Sequence, residues 1–145
     1  MKVKIKSLVP VFSLIALIGC KSFPIESPNP TKGEFKVMIL YPNGEGKTFD
    51  MAYYEKKHMP MVAGFLGDNL VSYEIDKGLS GRTPDEKVPF LAIGYFYVNS
   101  IEQYNMAIGQ HRDAIVDDFK NYTNVLPLIQ ISEIQLLSPP LGKDQ

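Results

Sequence analysis

From Phe35 to Leu137, apolar side chains recur along the chain with two different periods. Runs that alternate, or are apolar throughout, cover 35–41, 70–76, 89–98 and 126–136, and each reads as a strand. Recurrence at three and four covers 50–65 and 100–120, and each reads as a helix. The resulting order is βαββαβ. It predicts an α+β fold of the ferredoxin-like kind, a four-stranded antiparallel sheet with two helices on one face.

The helical pattern also says which side chains face inward. In the first helix the stripe is Met51, Tyr54, His58, Met61 and Phe65; in the second it is Tyr104, Ile108, His111, Ile115 and Phe119. Both histidines of the chain therefore fall on packed faces. Asp50 is placed to cap the first helix, and Ser100 with Gln103 predicts a capping box for the second. Pro60 has no amide to donate and disfavours a helical Met59, so a kink or break is expected just after His58, with freed carbonyls near the imidazole. Asp117 and Asp118 fall near the carboxyl end of the second helix, where negative charge opposes the helix dipole. Such a conflict can mark a site; the plain alternative is a pair of solvated carboxylates.

The strands differ in a way that bears on assembly. Val71, Tyr73 and Ile75 alternate with Ser72, Glu74 and Asp76, the pattern of an edge strand with one wet face. The strand from Phe90 to Val98 is apolar on both faces. Two helices cover only one face of a sheet, so the sheet of a second copy is expected to cover the other, making a homodimer.

Ahead of the domain, Lys2, Lys4 and Lys6 precede an apolar run from Leu8 to Ile18 that stops at Gly19 and Cys20. This predicts a secretory signal peptide over 1–19; a mature spanning helix would need about 20 apolar residues. Leu17-Ile18-Gly19-Cys20 resembles the bacterial lipoprotein lipobox, which implies lipid on Cys20 and a place in the cell envelope. Lys21 after that cysteine, in place of aspartate, leans toward the outer membrane. Pro24, Pro28 and Pro30 among small polar residues read as a tether over 20–34, leaving one domain over 35–137 and a tail over 138–145. Cys20 is the only cysteine, which excludes an intramolecular disulfide and a cysteine nucleophile within the fold.

Charge and missing motifs narrow the chemistry. Removing the leader takes three of the 15 basic residues and none of the 16 acidic ones, so the remainder is net acidic and lacks a basic stripe for nucleic acid. Gly46-Lys47-Thr48 follows a strand as a phosphate loop would, but Tyr41 stands where that loop needs glycine. There is no glycine fingerprint for flavin or nicotinamide, no Gly-x-Ser-x-Gly elbow and no histidine pair with metal-ligand spacing, so neither a cofactor nor a metal is expected.

The series Tyr41-Pro42-Asn43, Phe49-Asp50, Tyr53-Tyr54 and His58-Met59-Pro60, followed by His111, Asp117, Tyr122-Thr123-Asn124 and the run Pro127 to Glu133, resembles the EthD family. Met61 stands where family members often carry leucine, a conservative exchange. The resemblance implies a dimeric α+β barrel with a small apolar pocket between sheet and helices. It implies His58 as general acid or base. It also implies that Tyr54, one turn earlier, orients the imidazole or a ligand oxygen. Tyr41, His111 and Asp117 are the further candidates for ligand contact. The "reductase" label sometimes given to the family has no cofactor motif here to support it. Two functions follow as expectations: a cofactor-independent enzyme moving a proton on a small, largely apolar, oxygenated molecule, or a non-catalytic module binding such a molecule, or haem, in the same pocket.

Overall fold

The computed structural model describes residues 29–138. The leader, Cys20, the tether as far as residue 28 and residues 139–145 lie outside the described residues. Among the described residues no helix is long and apolar enough to cross a membrane.

Four strands, β1 (Phe35–Pro42), β2 (Leu70–Lys77), β3 (Phe90–Val98) and β4 (Leu128–Glu133), form one antiparallel sheet in the order β2-β3-β1-β4. This is the ferredoxin-like arrangement, with β2 at an edge as its alternating pattern requires. Register places Val37, Ile39 and Tyr41 of β1 beside Phe96, Gly94 and Ala92 of β3, and this face packs under the helices. The opposite face carries Met38, Leu40, Ile93, Tyr95 and Tyr97, with the Lys36 ammonium over the Tyr95 and Tyr97 rings. The end of the expected tether already joins the fold: Gly33 N–H donates to Ile134 C=O, and Ile134 N–H to Glu34 C=O.

The first helical segment runs from α1 (Met51–Tyr53) through a π-helical turn (Tyr54–His58) into α2 (Met59–Leu66). Asp50 caps it, its carboxylate accepting from Tyr53 N–H at 3.1 Å. The expected break after His58 does not occur. Met59 stays helical at φ −63° and ψ −43° and donates instead to Tyr54 C=O, five residues back. The wider turn admits one extra residue and lets Pro60 enter near the start of α2, where a missing amide is tolerated. That extra residue shifts the inward stripe. Upstream it is Tyr54 and His58 as expected; downstream it is Met59, Val62, Ala63 and Leu66, while Met61 and Phe65 are only half-buried.

The second helical segment is not continuous either. It is α3 (Ile101–Gln110) and α4 (Arg112–Asp118), broken at His111, whose backbone leaves the helical region at φ −109° and ψ 13°. The predicted capping box is half formed: Ser100 Oγ accepts from Gln103 N–H at 3.3 Å, but the Ser100 amide is taken by Asn69 Oδ1 at 2.8 Å. Asn69, buried in the short helical turn before β2, also donates to Ser100 C=O at 2.9 Å and so ties the starts of β2 and α3 together.

Candidate functional site

Sequence places two elements around His58. The π turn carries Tyr54 and His58 on its inward face, and the segment following α4 returns over them with Tyr122. That return is strapped down by Asp50 N–H to Tyr122 C=O at 2.7 Å and by Thr123 Oγ1 donating to Thr48 C=O at 2.8 Å. Tyr41 and Phe49 pack edge to face on each other and on Tyr54 and Tyr122, with centroids between 4.8 and 6.0 Å, and fix the ring directions.

Within this cluster His58 is 4% exposed and both its nitrogens are engaged by side chains. Nδ1 lies 2.8 Å from Asp118 Oδ2, and Nε2 lies 3.2 Å from the Tyr122 hydroxyl. The other carboxylate oxygen of Asp118 accepts from Tyr53 Oη and Asn121 Nδ2, both at 2.7 Å. The Tyr122 hydroxyl is 2.9 Å from that of Tyr41. The backbone carbonyls expected to satisfy the imidazole are not its partners.

Electrostatics assigns the protons. Burial lowers the His58 pKa, and Asp118 opposes this without restoring it, so it stays below its ordinary value. Burial pushes the Asp118 carboxyl up, but the bonds from His58, Tyr53 and Asn121 outweigh it and hold the group below the ordinary carboxylate range. Near neutrality Asp118 is a carboxylate and His58 a neutral ring whose Nδ1–H donates to it. Nε2 is then a base accepting from Tyr122 O–H, whose oxygen accepts from Tyr41 O–H. The chain Asp118, His58, Tyr122, Tyr41 is directional throughout. Burial, the largest influence on each, raises the pKa values of Tyr41, Tyr54 and Tyr122, so all three remain phenols.

Beside this chain lies a cavity of about 410 Å³ between the sheet and both helical segments, in the range of small-molecule sites. Ile39, Phe96 and Ile129 form its floor; His58, Tyr41, Tyr54 and Tyr104 are the buried polar residues on its walls. A wider depression at Thr48–Met51 and Lys120–Asn124 is more open to solvent, and its Thr123 and Asn124 side chains are committed to loop bonds.

Of the residues picked from sequence, His58, Tyr54 and Tyr41 meet at this cavity. Tyr54 stacks on the His58 ring at 5.6 Å and 16° instead of bonding to it, and its hydroxyl is buried over Gly94 with no hydrogen-bond partner. His111 stands apart, stacked on Phe65 at 3.9 Å. Asp117 is exposed and does not join the cluster; its neighbour Asp118 does. Sequence reasoning misses Tyr122, Tyr53 and Asn121 as partners, although Tyr53 and Tyr122 lie in the EthD-like motif series and Asp118 at the helix end where charge opposes the dipole. Among the described residues no group of three histidine, cysteine or acidic side chains could hold a metal. Neither histidine offers a free nitrogen to haem in this cavity, since His58 is doubly bonded and His111 lies outside the lining.

The chain matches no family model and no curated protein sequence. Among solved structures it is similar to an EthD-like protein from Ralstonia eutropha JMP134, with 40% identity over 71% of this chain and 93% of that one, and a TM-score of 0.67. An EthD family protein from Bacillus halodurans C-125 shares the fold at 18% identity, covering 69% of this chain and 97% of that one, with a TM-score of 0.50.

Proposed function

The chain belongs to the EthD family, and from that premise we propose that it is a cofactor-independent enzyme transferring a proton on a small, largely apolar, oxygenated molecule. The observation that carries this reading is the Asp118–His58 pair at 2.8 Å, whose imidazole lines an apolar cavity. Asp118 fixes the tautomer and stabilises the imidazolium that forms when Nε2 takes a proton, and burial keeps the resting ring neutral and able to accept one. The longer 3.2 Å contact to Tyr122 is the bond that an acidic ligand hydrogen replaces, and Tyr122 keeps its partner in Tyr41. The same proposal includes the anchor and the assembly. Lipid on Cys20 holds the domain at the bacterial envelope, and the sheet face bearing Met38, Leu40 and Ile93 meets a second copy.

Isotope exchange tests this on model compounds in place of the natural substrate. A panel of small apolar ketones is incubated with the protein in D₂O and deuterium at carbon is followed by NMR. Wild type is expected to accelerate exchange for a subset and His58→Gln to lose that acceleration while remaining folded by circular dichroism at the assay temperature. Equal exchange by a folded His58→Gln, or binding without exchange by wild type, rejects the enzyme and leaves a binding module.

A further inference from the structure

The polar atoms around the cavity are not equally available. His58 has both nitrogens bonded, and the Tyr41 hydroxyl is bonded to Tyr122. The Tyr54 hydroxyl lacks a partner, but it is sealed against Gly94, Met59 and the sheet, with no accessible surface. Tyr104 differs from all three. It projects from α3, lines the cavity, is 8% exposed, and its hydroxyl makes no hydrogen bond among the described residues. Unlike that of Tyr54, it is not closed off from accessible space.

The Tyr104 side chain is buried, yet its hydroxyl keeps accessible surface and no protein group claims its donor. We propose that the Tyr104 hydroxyl is the ligand's anchor: it donates a hydrogen bond to a carbonyl, ether or hydroxyl oxygen on a compact, otherwise apolar molecule lying over Ile39, Phe96 and Ile129. This rests on the cavity being the ligand site, but not on proton transfer there. Burial alone pushes the Tyr104 pKa up to about 12, so the group is a donor across the neutral range. Asn105 and Arg112 also line the cavity, but on its exposed side, so among the buried wall groups this bond sets how the molecule is oriented relative to His58.

Two isosteric probes test it: para-ethylacetophenone, and para-ethylcumene, in which a methyl group replaces the carbonyl oxygen. The ratio of their affinities, measured by calorimetry, cancels general hydrophobicity. Tyr104→Phe is expected to lower the ketone-to-hydrocarbon ratio roughly three- to tenfold, the effect of one hydrogen bond. Tyr54→Phe is expected to leave it unchanged. The bound ketone's carbonyl stretch should move to lower frequency in wild type and return in Tyr104→Phe. An unchanged ratio in Tyr104→Phe, a fall in Tyr54→Phe instead, or no binding of either probe by wild type overturns the assignment. Turnover is not read, so loss of exchange in His58→Gln leaves this result standing, and its failure leaves the exchange experiment intact.

Discussion

Replacing Asp118 by asparagine tests the site with a change of one atom. Asp118 is 13% exposed and accepts at both oxygens. In the variant the amide oxygen can keep the bonds from Tyr53 and Asn121, weakened by loss of charge, but an NH₂ group then faces the Nδ1–H of His58. The ring must shift its proton to Nε2, and Tyr122 must turn its hydroxyl toward Tyr41, reversing the chain. Bonds to a charged acceptor contribute about 1.5–3 kcal/mol each, and neutral replacements recover part of this, so the net loss is about 2 kcal/mol. For a domain of this size that lowers the melting temperature by about 10 °C. Urea denaturation read by circular dichroism gives the free energy, and NMR of the imidazole carbon-bound protons gives the tautomer. A variant within about 0.5 kcal/mol of wild type, with the ring proton still on Nδ1, would refute the assignment of the pair as a charged, directional bond.

Acid dependence follows from the same two groups. His58 titrates below its ordinary value of about 6.5 when folded, so its contribution is complete above that pH and lost as pH falls through the folded value. Asp118 is also held low, so its contribution is complete above about 4 and lost below. Wild type should lose stability in both ranges, and Asp118→Asn in the upper range only; denaturation midpoints between pH 7 and 3 check this. Gly94→Ala should destabilise by about 1–3 kcal/mol, because its methyl group enters the space of the Tyr54 hydroxyl and Met59. Adding Tyr54→Phe should recover part of that, and Tyr54→Phe alone should be neutral or slightly stabilising in thermal melts, since the hydroxyl it removes has no partner. Asn69→Ala strips both side-chain hydrogen bonds from the start of α3, orphaning the Ser100 amide while Ser100 C=O keeps the Tyr104 N–H, and should cost about 1–3 kcal/mol by urea titration without altering probe affinity.

How far the sequence reaches depends on which interactions are local. Periodicity locates every strand and both helical segments because burial acts on each residue in turn. It puts His58 and Tyr54 inward for the same reason. Their partners lie at positions 118 and 122, and although the stripe through His111 and Ile115 turns position 118 inward and 117 outward, nothing in local spacing says that it meets a histidine sixty residues earlier. Helical phase carries through His111, whose amide and carbonyl keep their bonds to Ala107 and Ile115, and this leaves Asp117 in solvent and Asp118 against the π turn. The helix-end charge conflict is a sound signal, but it points to the pair and not to the member that matters. Pro60 is legible as a disturbance, yet an isolated proline does not reveal whether a helix answers by breaking or by widening.

The widened turn at 54–58 makes the first helical segment a splice between two helices out of phase with each other. Tyr54 and His58 within the turn face the reacting groups, while Met59 and Val62 after it face the core and the cavity together, and the phase slip lets one rod carry both sets. Substitutions at Met59 or Val62 therefore retune the pocket and the core packing together. A single-residue deletion at the splice, by contrast, would bring the halves into step and turn the imidazole away from Asp118 by about the 100° that one residue spans.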